Sequence, residues 1–224
     1  MSSIGLWLVC AGIPLLFGLW AQMRVKRTFE RYSKVAPRNG MSGAEAAAAV
    51  LRSSGLPQLK INPVPGHLSD HYDPRNKTLN LSADVGNASS LAALGVAAHE
   101  AGHAVQDARG YKPMRIRQTL VPAATIGQSL WFFPVVLGLL MGLTGLVTIG
   151  LVLFAAIVLF QLVTLPVEFD ASKRALASLE SQGLLAADEL PGAKAVLNAA
   201  ALTYVAGFVA SLGQLIYFFA LSRR

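Results

Sequence analysis

The chain has 224 residues and a formal net charge of +7; 54% of its residues are hydrophobic and only 14% are charged. Soluble domains usually carry about 25% charged residues, so this composition argues against a soluble domain and indicates an integral membrane protein. The single cysteine, Cys10, excludes an internal disulfide and a cysteine-rich zinc knuckle. Any metal ion would therefore be bound by histidine and carboxylate side chains.

Four apolar segments are long enough to cross a hydrocarbon core, which takes roughly 20 helical residues. The first, residues 4–21, has its basic residues after the apolar run, which is the charge order of a retained anchor and the reverse of a cleaved signal. Residues 120–165 are long enough for two spans, with a break expected near residues 138–145. Residues 199–221 form the fourth. We expect a multi-pass protein of the cell membrane.

The basic residues lie beside these apolar segments. They form three clusters, at residues 24–34, 112–117 and 173–174. This is the positive-inside pattern of membrane proteins. It predicts membrane topology and contacts with the lipid bilayer, and it argues against a nucleic-acid partner.

The segments between the spans carry signals for helices and for a small sheet. Ser42 and Glu45 form a capping-box pattern, which predicts a helix that ends at Gly55. Residues 56–82 predict a β-hairpin, with turn residues at 73–76 and a strand at 78–82. An exposed strand can bind a substrate backbone, and residues 78–82 are the candidate. Further helices are predicted over residues 91–109, ended by Gly110, and after Pro166, ending near Gly183.

The sequence HEAGH lies within the predicted helix 91–109 and is an HExxH motif. Residues four apart share one face of a helix, so His99 and His103 can both point at one metal ion. Imidazole nitrogens suit zinc, which lowers the pKa of a bound water. Glu100 is placed to act as the general base for that water. The alternative is a polar surface helix with two ordinary histidines, but the apolar flanks LGVAA and AVQ argue against it.

A catalytic zinc needs a third protein ligand. His67 and His71 lie upstream, and the downstream acidic candidates are Asp107, Glu168, Asp170, Glu180, Asp188 and Glu189. We select Glu168, because two spans separate it from the HExxH helix and both segments therefore lie on one membrane face. Asp170 is interpreted as a supporting residue or as a partner for Arg174 at i+4.

The motifs resemble a known family. AAHEAGHAVQ, followed by two spans and LPVEFDASKRAL, is similar to the neutral zinc metallopeptidases of the YugP type, as is DHYDPRNKTLNLS. The resemblance implies a membrane-embedded zinc hydrolase with His99, His103 and a downstream glutamate as ligands and Glu100 as the base. The chain also resembles membrane gluzincins of the CAAX-protease and heat-shock-protease kind. Those enzymes carry an aspartate four residues after the ligating glutamate, where this chain has Ser172.

The predicted fold is a mostly α integral membrane protein with about four transmembrane helices and a small α+β zincin-like domain built around the HExxH helix. Residues 1–22 are the N-terminal anchor, and residues 23–118 are the cytoplasmic zincin-like domain. Residues 119–165 form a transmembrane helical hairpin, residues 166–198 complete the metal site, and residues 199–224 form the last transmembrane helix.

The predicted function is that of a zinc metalloendopeptidase with one Zn²⁺ per chain, acting on peptide or membrane-protein substrates. The alternative is a non-enzymatic membrane adaptor or quality-control factor with a structural zinc, in which His67 or His71 would be a fourth ligand. A metal transporter would need more polar groups within the spans than Gln128 and Gln161. Glycines 138, 142 and 145 are typical of helix packing within or between chains, so a homo-oligomer or a membrane-protein partner is considered.

The basic clusters generate a topology prediction. With these clusters inside, residues 22–118 and Glu168 face the cytoplasm, and both chain ends lie outside. A reporter fused after Val85 is expected to show cytoplasmic activity, measured with a paired set of cytoplasmic and extracytoplasmic reporters. A reporter fused after Gly142, between the second and third spans, should give the opposite readout. Extracytoplasmic activity after Val85 would contradict the topology.

Overall fold

The computed structural model describes residues 3–223 and is mostly helical, with a small sheet of three strands. Its residues form two compact units. The first unit comprises residues up to Gln22, Lys112–Pro166 and residues from Leu202 onward; the second comprises Met23–Tyr111 and Val167–Ala201. The five-segment division expected from the sequence stays a prediction, and its positions 1, 2 and 224 lie outside the described residues.

Three helical stretches among the described residues are long and apolar enough to cross a membrane. The first consists of α1 (Ser3–Trp7), a π-helical turn (Leu8–Gly12) and α2 (Ile13–Tyr32). The others are the helices Thr144–Ser181 and Leu190–Ser222. A fourth candidate is a pair of helices, Lys112–Leu130 and Phe132–Met141, which are bent by 42° at their junction and pass the same test together.

The break expected near residues 138–145 is confirmed. The helix Phe132–Met141 ends at Gly142, which has a left-handed backbone with φ +68°, and the next helix begins at Thr144. A Cβ at Gly138 would lie 2.7 Å from the Val147 nitrogen. The absence of a side chain at Gly138 therefore lets the chain fold back closely at this turn.

The expectation that a new helix begins after Pro166 is wrong. The helix Thr144–Ser181 runs through Pro166 without a break. Proline removes one backbone donor and so disturbs one turn, but the residues that follow, VEFDASKRAL, include many good helix formers. The end near Gly183 is confirmed, since Gly183 adopts φ +63°.

The second unit begins with α3 (Gly43–Ser53), whose predicted capping box is confirmed. The Ser42 side chain accepts a hydrogen bond from the Glu45 backbone, and the Glu45 carboxylate accepts one from the Ser42 backbone. Gly55, at the predicted end, has φ +81°. These contacts satisfy backbone groups that a helix end otherwise leaves unpaired.

The sheet contains β1 (Lys60–Val64), β2 (His71–Asp73) and β3 (Thr78–Ser82), in the order β1-β3-β2. The predicted hairpin is confirmed, because β2 and β3 are antiparallel and Asp73 accepts a hydrogen bond from the Arg75 backbone in the turn. In addition to the hairpin, β1 pairs with β3 in parallel, a contact that the local sequence does not predict. It makes β3 the central strand, so the expectation that residues 78–82 form an exposed substrate-binding strand is wrong.

After the one-turn helix α4 (Ala83–Gly86), the HExxH motif lies on α5 (Leu91–Ala108), which matches the predicted helix 91–109. The Ser90 side chain caps its start by accepting a hydrogen bond from the Ala93 backbone. Gly110, with φ +63°, follows its end as predicted. The remaining helices are α6 (Lys112–Leu130), α7 (Phe132–Met141), α8 (Thr144–Ser181) and α9 (Leu190–Ser222).

Candidate metal centre

Helix α5 presents polar side chains on two adjacent faces. His99, His103 and Gln106 recur at helical spacing and contact residues 167–172 of α8. Glu100 and Asp107 lie on the neighbouring face and contact β2. The 3.6-residue period of the helix thus separates two sets of polar groups that are consecutive in sequence.

Close packing of α5 against α8 occurs at Gly102, the second variable position of HEAGH. A Cβ at this position would lie 2.8 Å from the carbonyl oxygen of Ala171, closer than real Cβ contacts. Only glycine permits this separation of the two backbones. Ala171 lies three residues after Glu168 on α8, so the close approach brings that carboxylate to the two histidines.

The two motif histidines converge on one carboxylate oxygen. Glu168 Oε2 lies 3.2 Å from His99 Nε2 and 3.5 Å from His103 Nε2. Glu168 is only 3% exposed and His103 only 7% exposed. The structure therefore brings together, in a buried place, the two histidines and the acidic residue that the sequence selects.

The other ring nitrogens are held by hydrogen bonds with side chains of α5 and α8. His99 Nδ1 lies 3.1 Å from Ser172 Oγ, and His103 Nδ1 lies 3.0 Å from Gln106 Oε1. Because an amide oxygen only accepts, His103 Nδ1 carries a proton and donates it. The Nε2 atom of His103 is then free to bind a metal ion.

Gln106 is fully buried and connects His103 to an ion pair on α8. Its amide nitrogen donates to the Val167 carbonyl and to Asp170 Oδ2, both at 2.8 Å. These two acceptors fix the amide so that its oxygen faces His103. Arg174 Nε donates to Asp170 Oδ2 at 2.5 Å, which confirms the expected i+4 contact.

Glu100 lies against the edge strand of the sheet. Its Oε2 accepts the backbone N–H of Tyr72 at 3.1 Å. Burial raises the pKa of the Glu100 carboxyl above its ordinary value, and the nearby His103 and His99 oppose that rise. The ligand atoms of His99, Glu100 and His103 lie within 4.8 Å of one another, so the carboxylate is close to both imidazoles.

The side chain of Tyr72 continues this contact along α5. Its hydroxyl donates to Asp107 Oδ2 at 2.7 Å, and Lys77 pairs with the same carboxylate oxygen. Burial and the bond to Asp107 raise the pKa of Tyr72, so the phenol stays protonated and remains a donor. Tyr72 thereby anchors β2 to α5 through its backbone and its ring.

The remaining candidates make contacts elsewhere. Asp107 is bonded to Tyr72 and Lys77, and Glu189 accepts backbone hydrogen bonds from Arg38 and Ala186. Asp188 pairs with Arg38, and His67 pairs with Asp84. Both ring nitrogens of His71 are in use, one with the Ser69 carbonyl and the other with the Asn80 amide.

Sequence reasoning did not assign roles to Gly102, Gln106 or Ser172. Helical spacing in the sequence indicates a role for two of them, Gln106 and Ser172. Gln106 follows His99 and His103 at i+7 and i+3, which places its amide on the histidine face of the helix. Ser172 follows Glu168 at i+4, which places it on the same face of α8, and it hydrogen-bonds His99.

The donor set fits zinc. Two imidazole nitrogens and one carboxylate oxygen converge, and zinc accepts both types of ligand in a four-coordinate shell with one place left for water. The histidines are also held through their second nitrogens, as metal-binding histidines usually are.

Comparisons with known proteins agree with this chemistry. The family model described as "Putative neutral zinc metallopeptidase" matches residues 7–223. The chain is 41% identical over 213 residues to "Putative membrane protease YugP" of Bacillus subtilis (strain 168), and the alignment covers 95% of this chain and 94% of the relative. No solved structure matches the chain.

The close approach at Gly102 predicts a stability difference between two substitutions on α5. Gly102→Ala must push α5 away from Ala171, whereas a Cβ at Gly95 would lie 3.4 Å from the Ala193 side chain, an ordinary contact. Both variants gain the same helix propensity by replacing glycine with alanine. The free energy of unfolding of Gly102→Ala is therefore expected to be lower than that of Gly95→Ala by about 1–3 kcal/mol. Unfolding of the two purified variants measures this difference. Equal stabilities would contradict the packing argument.

Proposed function

The chain belongs to the neutral zinc metallopeptidase family, and we propose that it is a membrane-embedded zinc endopeptidase. In this proposal His99, His103 and Glu168 are the zinc ligands and Glu100 is the general base. The observation that supports it most directly is the convergence of two imidazole nitrogens on one buried oxygen of Glu168. We propose one zinc ion per chain, since His99, His103 and the adjacent Glu100 form the one cluster of potential metal ligands found among residues 3–223.

Zinc bound by these three residues supplies a Lewis acid that polarises a substrate carbonyl and makes water easier to deprotonate. The Glu100 carboxylate would accept the proton of the attacking water through Oε1, since Oε2 accepts the Tyr72 backbone N–H. The same carboxylate then delivers that proton to the leaving amine. The Tyr72 backbone N–H holds the Glu100 carboxylate in place through its contact with Oε2.

The groups behind the ligands keep them oriented. Ser172 and Gln106 hold the imidazole rings through Nδ1, so that both Nε2 atoms face Glu168. The Gln106 amide also donates a hydrogen bond to Asp170, and Arg174 forms an ion pair with that carboxylate. Such supporting contacts typically change metal affinity or activity by about 10–100-fold when they are removed.

Glu168 is preferred over Glu100 as the carboxylate ligand, although Glu100 is also close to both histidines. One oxygen of Glu168 is within reach of both Nε2 atoms. Glu100 Oε2 is already engaged with the Tyr72 backbone, and Glu100 lies on the neighbouring face of α5. These contacts support a ligand role for Glu168 and a base role for Glu100.

The adaptor with a closed, structural zinc site is the less favoured function. It requires a fourth protein ligand, and the candidates considered for that position are His67 and His71. His71 uses both ring nitrogens in other contacts, and His67 pairs with Asp84. A site with three protein ligands leaves a position for water, which is the arrangement of catalytic zinc.

The substrates are proposed to be peptides or membrane proteins reached from the cytoplasmic face of the membrane. The apolar helices of the chain and the name of the Bacillus subtilis relative support a membrane location. The positive-inside distribution of basic residues supports the cytoplasmic side.

Metal analysis of the purified chain tests the ligand set. The parent protein is expected to retain about one zinc per chain, and His99→Ala, His103→Ala and Glu168→Ala are each expected to lose it. Glu180→Ala is the matched control, since Glu180 is an exposed carboxylate on the same helix. Zinc retained by the Glu168→Ala variant would contradict the proposed third ligand.

Substitution of the base separates catalysis from metal binding. Glu100→Gln keeps the shape of the side chain but cannot take a proton, so it is expected to retain zinc and to lower the cleavage rate by about 10²–10⁴-fold. Cleavage of unfolded casein, followed by mass spectrometry, measures the rate, with Glu180→Gln as the control. A Glu100→Gln variant that cleaves as fast as the parent would exclude the proposed base.

A further inference from the structure

A cavity of about 370 Å³ lies beside the Glu100 face of α5. Its lining includes Leu56, Leu59, Tyr72, Ala104, Asp107 and Ala108. Its volume falls within the range of about 300–1,000 Å³ that is typical of small-molecule sites. This is ample space for one large side chain.

The cavity is aligned with Glu100 along the helix. Ala104, Asp107 and Ala108 follow Glu100 at i+4, i+7 and i+8, so all four residues share one face. Asp107 lies about 10 Å beyond Glu100 along the axis at 1.5 Å per residue. An extended peptide advances about 3.3 Å per residue, so this distance corresponds to about three residues.

Tyr72 joins the cavity to the base. Its backbone N–H donates to Glu100, and its hydroxyl donates to Asp107 in the cavity wall. The same residue therefore contacts the reacting end and the cavity end of this face of α5. Tyr72 thus lines the cavity and also contacts the proposed base.

The lining favours an uncharged apolar group. Leu56, Leu59, Ala104 and Ala108 provide apolar walls. The Asp107 carboxylate is neutralised by Lys77 and bonded to the Tyr72 hydroxyl, so it is not an unpaired charge facing the cavity. A charged ligand would have to be desolvated there without a free partner, which is costly.

We propose that this cavity binds a large apolar side chain of the peptide substrate, such as leucine, methionine or phenylalanine, about three residues from the cleaved bond. This inference rests on the proposed peptidase function. The exposed Lys77 at the cavity indicates a rim in contact with water, which suits a peptide better than a lipid chain. Occupation by a side chain excludes water from the apolar walls and so contributes to substrate selection.

Photo-crosslinking tests the cavity without requiring cleavage. Short peptides with random flanks and one benzoylphenylalanine are added to the full-length Glu100→Gln protein, and the crosslinked residues are mapped by mass spectrometry. Crosslinks are expected at Leu56, Leu59 or Ala108. They should fall at least about tenfold in an additional Ala108→Trp variant, which fills the cavity, a loss that corresponds to 1.4 kcal/mol of binding.

Ala177→Trp is the matched control, because Ala177 is an exposed helical alanine outside the cavity lining. It is expected to leave the crosslinks unchanged. Ala104→Leu provides a second way to fill the cavity, and the unfolding temperature of each variant shows that it is folded. Crosslinks that map elsewhere, or that survive both filled variants, would overturn the proposal.

Cleavage profiling separates this proposal from the peptidase function itself. The zinc-loaded parent is expected to prefer leucine, methionine or phenylalanine at one position about three residues from the cut. Ala108→Trp should lower kcat/KM for such peptides at least about tenfold, with Ala177→Trp as control. A parent that cleaves no peptide would refute the proposed peptidase function. The crosslinks would still show whether the cavity binds the apolar side chain of a peptide. Cleavage without this preference would overturn the cavity proposal alone.

Discussion

The close packing of α5 against α8 at Gly102 is the contact on which the proposed metal centre depends. The two ligand-bearing segments are 65 or more residues apart in sequence, since His103 and Glu168 belong to different helices. Their side chains meet because a glycine allows the α5 backbone to approach the Ala171 carbonyl. A larger residue at position 102 would separate the helices and, with them, the histidines and the carboxylate.

The helical period places the polar side chains of the candidate site on two faces of α5. One face holds His99, His103 and Gln106, and its contacts with α8 orient the imidazole rings. The neighbouring face holds Glu100, which the sheet positions through the Tyr72 backbone. The proposed metal binding and the proposed proton transfer are therefore supported by different parts of the second unit, so we expect that a substitution can affect one without removing the other.

Local signals predicted much of this arrangement. The cap at Ser42, the turn at Asp73 and the glycine after α5 each act over a few residues, and the sequence predicts each of them. The HExxH spacing and the topology argument also selected the three side chains that the structure brings together. The cap and turn residues could be recognised because their hydrogen bonds lie within one turn of the chain.

Long-range contacts were not predictable in the same way. The parallel pairing of β1 with β3 and the bond from Ser172 to His99 depend on residues that are distant in sequence. Pro166 does not begin a new helix, because the favourable helix propensity of the residues around it outweighs the effect of one proline. The role of Gly102 depends on the partner helix, because the atom that a Cβ there would meet is the Ala171 carbonyl oxygen of α8.

X-ray absorption at the zinc edge tests the central claim most directly, because it reports the atoms bound to the metal in the intact protein. A centre built from His99, His103 and Glu168 predicts two imidazole nitrogens and oxygen ligands at about 2.0–2.2 Å. The Glu168→Gln variant should lose bound zinc or show an altered oxygen shell with both imidazoles retained. Fewer than two imidazoles in the parent spectrum, or a sulfur ligand from Cys10, would contradict the account.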